Sequence, residues 1–219
     1  MPLKNLLFDL DGTLSDPREG ICRCFQFALH RLGRAAPALA ELEHCIGPPI
    51  RDSFGALLNT TDPAFIELAV KHYRERFSTV GLFENTLYPT TVELLEVLSG
   101  RFPLFVVTLK PEVYAEQILR HFGVRQAFGG VYGPGLEPGI TGKTELVHKA
   151  LNDHGLRAEQ TMMIGDRRDD IIAGRSNGTH TMGVLYGFGS FEELAAEQPD
   201  LLCREQSDIP AAITRYSEG

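Results

Sequence analysis

Short apolar runs alternate along the chain with stretches whose apolar residues recur every three or four positions. Residues 3–10, 103–109 (PLFVVTL), 129–132, 161–164, 181–185 and 200–204 have the length and composition of strands. Between them, helical periodicity runs through 143–154, 169–177, 191–198 and 209–216, and Pro111 suits the first turn of a further helix after PLFVVTL. This alternation predicts an α/β fold in which helices cover a parallel sheet. The segment from about 17 to 83 differs, with helical spacing (Ile21, Phe25, Ala28, Leu29, Leu32; then Phe65, Leu68, Ala69, His72, Tyr73) and almost no strand signal. A chain that leaves a sheet for helices and then returns reads as an insertion. The expected division is a sheet-bearing core of residues 1–16 and 84–219 and an all-helical domain of 17–83, with hinges near 15–17 and 84–89.

The first strand runs into Asp9-Leu10-Asp11-Gly12-Thr13. Alternate side chains of an extended strand share a face, so Asp9 and Asp11 are expected to project together while Leu10 turns into the core. Two neighbouring buried carboxylates are costly unless a cation or a reacting group uses them, because desolvation and mutual repulsion both oppose their ionisation. Gly12 permits a sharp exit from the strand, and Thr13 supplies a hydroxyl to the turn. Three more features fall at carboxyl ends of expected strands, where open parallel sheets bind ligands. They are Thr108 with Lys110, the Gly165-Asp166 pair with Asp169 and Asp170 one turn later, and Lys143, which opens a helix after the glycine-rich loop 133–142.

Composition narrows the partners. Of the 219 residues, 43% are hydrophobic and 23% charged, ordinary for a globular protein, and the formal net charge of −8 argues against a nucleic-acid groove or an anionic membrane surface. No apolar run approaches a membrane span and no signal-peptide pattern opens the chain, so a cytoplasmic protein is expected. Cys22, Cys24, Cys45 and Cys203 lack zinc-like spacing and read as reduced thiols. Gly142-Lys143-Thr144 looks like the end of a phosphate-binding loop, but Glu137 stands where that motif needs glycine.

On these motifs the chain resembles phosphatases of the haloacid dehalogenase superfamily, in the branch that contains phosphoglycolate phosphatases and 5'-nucleotidases. Asp9 and Asp11 in DLDGT match the first motif, Thr108 the second, Lys143 the third, and Asp166 with Asp170 the fourth, while Ile46-Gly47-Pro48-Pro49-Ile50-Arg51 falls where that branch carries its substrate-specificity loop. The resemblance implies a Rossmann-like core with a helical cap and a magnesium-dependent phosphomonoester hydrolase working through an aspartyl phosphate. In that scheme Asp9 is the nucleophile and Asp11 the general acid and base. Asp9, the Asp11 carbonyl and Asp166 hold Mg2+, and Asp170 orients the metal shell, with Asp169 its adjacent competitor. Thr108, Lys143, Gly12 and the backbone of Leu109 bind phosphate, and Gly47 and Arg51 select the substrate. Whether Lys143 or Lys110 is the principal phosphate lysine stays open at this point. The expected partner is a small phosphorylated metabolite, phosphoglycolate or a nucleoside 5'-monophosphate, with the protein a monomer or homodimer. A sugar phosphomutase and a catalytically silent phosphometabolite-binding protein are the alternatives.

Overall fold

The computed structural model describes residues 2–136 and 142–218. The chain divides into two compact units, residues 1–15 with 87–219, and residues 16–86. In chain order the strands are β1 (Asn5–Phe8), β2 (Ser15–Asp16), β3 (Thr86–Leu87), β4 (Leu104–Val107), β5 (Phe128–Tyr132), β6 (Thr161–Gly165), β7 (His180–Val184) and β8 (Leu201–Cys203). The helices are α1 (Arg18–Arg31), α2 (Ile50–Leu58), α3 (Pro63–Arg76), α4 (Thr91–Ser99), α5 (Glu112–His121), α6 (Lys143–Asp153), α7 (Arg168–Ser176), α8 (Phe191–Ala196) and α9 (Ile209–Glu218). Among the described residues, none of these is long and apolar enough to cross a membrane.

The first unit is built on a six-stranded sheet in the order β5-β4-β1-β6-β7-β8, with every described pairing parallel. A parallel sheet has to be covered on both faces, and its central strands are correspondingly apolar throughout, with β1 and β4 buried at every position. Leu7, Phe105, Val107 and Met163 pack on one face against Leu146, Val147, Ala150 and Leu151 of α6 and Ala173 of α7. Register then decides where the polar residues fall. Phe8 lies opposite both Val106 of β4 and Ile164 of β6, so the residues that leave these strands, Asp9, Thr108 and Asp166, share one edge. The helix α4 has no counterpart among the sequence expectations, and Pro111 stands just before α5 as its cap residue rather than inside its first turn.

The core of the second unit contains an aromatic cluster. Phe25 of α1 lies 4.8 Å from Phe54 of α2 and 5.1 Å from Tyr73 of α3, ring centre to ring centre, and Tyr73 stacks on Phe77 at 5.3 Å. Such pairs add to the burial of their area. On α3 the buried positions are Ala69, Val70 and Tyr73, whereas Leu68, expected on the inner face, is 42% exposed. The periodicity of α3 fits two adjacent faces, and packing against α1 selects the one that includes Val70. All four cysteines are buried and free.

Candidate active site

The strand β1 ends at Phe8, one residue before the first acid, which corrects the expected extended geometry of Asp9–Asp11, although Leu10 is fully buried as expected and Asp9 lies near enough to Asp11 to raise its pKa. The chain turns instead, because the amides of Thr13, Leu14 and Ser15 all point to the Leu10 carbonyl, at 3.3, 2.9 and 3.0 Å. Gly12 makes this turn possible with φ of +84°, and a side chain there would in addition meet the Asp166 carboxylate at 2.2 Å. The Gly12 amide donates to the Ser15 carbonyl at 2.8 Å, so it is spent inside the turn. Gly12 thus brings its bare Cα against the Asp166 carboxylate.

Two separate lysine–carboxylate systems result. Asp9 accepts the Leu10 amide at Oδ1 (2.8 Å) and faces Lys143 Nζ at Oδ2 (2.8 Å), and the same ammonium reaches Asp170 Oδ1 at 2.5 Å. Lys110 Nζ sits 2.7 Å from Asp11 Oδ2, while Asp11 Oδ1 is buried with no hydrogen-bond partner among the described residues. Burial alone would lower the Lys143 pKa, but Asp170 and Asp9 hold it above the usual lysine range. Asp11 is raised by burial, with Lys110 pulling it back. Thr108 accepts the Lys110 amide at Oγ1 (3.2 Å), which leaves its own hydroxyl proton for another acceptor. The Leu109 side chain packs on the apolar cluster under the sheet. Residues 137–141 of the glycine-rich loop lie outside the described residues, and Gly142 precedes Lys143 at the start of α6.

Asp166 is fully buried and held on both oxygens, by the Thr13 hydroxyl at 3.2 Å and the Phe188 amide at 2.8 Å. Desolvation, and after it the charges of Asp9 and Asp170, push it well above the usual carboxylate range. Desolvation also raises Asp170 to about 7, against the pull of Lys143, and its second oxygen accepts the Arg167 amide at 3.0 Å. Asp169 is exposed, so of the two neighbouring acids only Asp170 enters the site. Asp9, Asp166 and Asp170 each bring an oxygen to within 4.8 Å of the others. Four carboxylates here face two ammoniums, and the donors are all oxygen, a set that fits a hard divalent cation.

The family model described as haloacid dehalogenase-like hydrolase matches residues 6–184, which carry the four aspartates, both lysines and Thr108. The chain belongs to that family. It is 49% identical to a 5'-nucleotidase of Pseudomonas aeruginosa over 97% of this chain and 96% of that one. It is 28% identical to a phosphoglycolate phosphatase of Vibrio cholerae over 91% and 92%. The crystal structure of a predicted phosphatase from Clostridium acetobutylicum matches with a TM-score of 0.93 at 32% identity, over 98% of this chain and 100% of that one.

Within this hydrolase of the haloacid dehalogenase-like family, sequence reasoning missed the loop after β7. Side chains at Gly187 and Gly189 would meet Asp166 at 2.4 and 1.9 Å, and the residue between them supplies the Phe188 amide. Paired glycines directly after a strand were the available signal. In the second unit, Gly47 has φ of +104° ahead of α2, and Arg51 in the first turn of α2 forms a two-point pair with Glu67 of α3.

Proposed function

We propose that this hydrolase cleaves small phosphomonoesters through an aspartyl phosphate on Asp9 with Mg2+ as its cofactor, nucleoside 5'-monophosphates being the first substrate class and phosphoglycolate the second. The observation that carries this reading is the buried Asp9–Lys143–Asp170 system beside Asp166, with a second acid, Asp11, kept on its own lysine. The similarity to a 5'-nucleotidase over nearly the full length of both chains orders the substrates.

Lys143 and the Leu10 amide fix the Asp9 carboxylate in one orientation, so that an oxygen can attack phosphorus without first searching for its geometry. Asp9, Asp166 and the Asp11 carbonyl would hold the metal with Asp170 behind them, and when bound it offsets the charge that otherwise keeps a carboxylate away from a phosphate. The P–O bond to the alcohol breaks as the bond to Asp9 forms, and Asp11, its carboxyl raised by burial, gives the departing oxygen a proton. Asp11 then takes a proton from the water that attacks the phosphoaspartate, which frees phosphate and restores Asp9. The Thr108 hydroxyl, the Leu109 amide and Lys143 bind phosphoryl oxygens, and Lys143 is the principal phosphate lysine because it already stands on the nucleophile. Arg51 and Gly47 of the helical unit serve substrate choice.

A screen of nucleoside monophosphates, phosphoglycolate and sugar phosphates, read as free phosphate, tests the class. Asp9→Asn should lower kcat by more than about 10³-fold with the fold intact by circular dichroism. Substantial turnover by purified Asp9→Asn, or phosphate moved within a sugar without release, would overturn the reading.

A further inference from the structure

We infer that Tyr186 and Gln206 are positioning residues for Asp166 that act through the backbone of Thr13; the inference rests on the reading of Asp166 as a metal ligand. The Thr13 carbonyl accepts two hydrogen bonds, from the Tyr186 hydroxyl at 2.9 Å and from Gln206 Nε2 at 3.1 Å, so both of its lone pairs are engaged. Gln206 is buried and cannot swing to other partners: its Nε2 also donates to Thr91 Oγ1 at 2.9 Å, and its Oε1 accepts from Thr90 Oγ1 at 2.7 Å. The Thr91 hydroxyl donates in turn to the next carbonyl, Leu14, at 2.8 Å, and the Tyr88 amide donates to the same oxygen at 3.2 Å. Two consecutive carbonyls are thus held by four donors drawn from three distant parts of the chain.

This grip bears on Asp166 by two routes. With the Thr13–Leu14 peptide fixed, the Thr13 hydroxyl is aimed at Asp166 Oδ1 and the bare Cα of Gly12 closes against Oδ2. Tyr186 also begins the loop that sends the Phe188 amide to Oδ2 at 2.8 Å, so one hydrogen bond from its ring ties the two loops that enclose the carboxylate. Burial raises the Tyr186 pKa further above the usual phenol range, and the hydroxyl stays a donor throughout the working pH. Among the described residues neither side chain hydrogen-bonds Asp166, so each acts by fixing what does.

Calorimetric titration of the full chain with Mg2+ alone tests this. Tyr186→Phe and Gln206→Leu should each weaken Mg2+ binding about tenfold, and should raise the Mg2+ concentration needed for half-maximal activity while kcat at saturating Mg2+ stays near native. Ile213→Val, which loses a buried methyl on α9 away from the network, should lower Tm and leave Mg2+ affinity unchanged. Native affinity, within about twofold, in both network variants would overturn the inference, since a merely structural role moves Tm alone. Should Gln206→Leu fail to fold, Tyr186→Phe decides, because it removes one oxygen and leaves the ring in place. Undiminished binding by Asp166→Ala would overturn the metal reading itself and this inference with it.

Discussion

In the sheet-containing unit the charged groups that matter are out of the water, whereas in the helical unit they line its surface. The Lys143, Asp9 and Asp170 side chains are 5%, 7% and 0% exposed, and Lys110 and Asp11 only 5% and 13%. In residues 16–86, the pairs Arg23–Glu19 and Arg51–Glu67 keep about half of each side chain in solvent, and the least exposed, Arg76–Glu84, still shows about a fifth. The apolar contributions differ by degree, with an aromatic cluster in the helical unit and, under the sheet, mainly aliphatic side chains joined by Phe105 and Tyr132. Burial of an ion pair stabilises little or nothing net, because desolvation consumes the Coulomb gain. The helical unit thus relies on packing more than on buried charge, while the sheet unit keeps a costly electrostatic arrangement that its fold does not require. Fully ionised, its four aspartates and two lysines would leave two negative charges, the number a divalent cation offsets.

The largest effect expected from this contrast follows loss of the central lysine. Lys143→Met preserves most of the side-chain volume but leaves Asp9 and Asp170 buried without a counter-charge, and it should cost about 3–5 kcal/mol in urea unfolding, with kcat down at least about 10²-fold. A loss below about 1 kcal/mol would show that the two aspartates are solvated in practice and would break the comparison.

Much of this contrast was legible in the sequence and part was not. Strand position was, because each apolar run of β1, β4 and β6 ends at a polar residue, and parallel register then brings Asp9, Thr108 and Asp166 to one edge. Asp170 was visible as an acid one turn into a helix. The lysine partners were not, since Lys110 and Lys143 both carry long flexible stems, and which carboxylate each reaches depends on how β4 and α6 are placed against the turn 10–15. The inner face of α3 was not decided by periodicity because Ala69 and Tyr73 belong to two adjacent stripes, one that includes Leu68 and one that includes Val70. The short helix α4 carries Thr91, Leu94, Leu95 and Leu98 at helical spacing, but its nine residues give only a brief periodic signal. Gln206 carried no local signal at all, because its role exists only once residues 13, 90, 91 and 206 meet.

A smaller effect separates the units by their response to metal. Mg2+ at ten times its dissociation constant should stabilise the protein by about 1.4 kcal/mol and raise Tm by about 3–5 °C. Asp166→Ala should abolish the shift while leaving the aromatic cluster untouched. An equal shift in that variant would place the cation elsewhere and remove the reason given for the buried carboxylates.

On stability the smallest effect belongs to Arg51. Its pair with Glu67 is well aligned but about half exposed on both sides, where solvent screening cancels most of the attraction, so Arg51→Ala should change unfolding free energy by less than about 0.5 kcal/mol. Its effect on substrate use is expected to be separate from stability. If Arg51 serves substrate choice, a guanidinium already committed to Glu67 has to exchange that carboxylate for an anionic or polar group of the substrate remote from the phosphate. The exchange favours only a substrate that carries such a group. Arg51→Ala should therefore reduce kcat/KM for the best substrate of the screen by about 1–3 kcal/mol and leave p-nitrophenyl phosphate, which lacks the remote group, nearly unchanged. Equal losses on both compounds would assign Arg51 to phosphate binding or folding. No loss on either would make the Arg51–Glu67 pair one more surface contact of the helical unit, and substrate choice would then have to come from the sheet-containing unit.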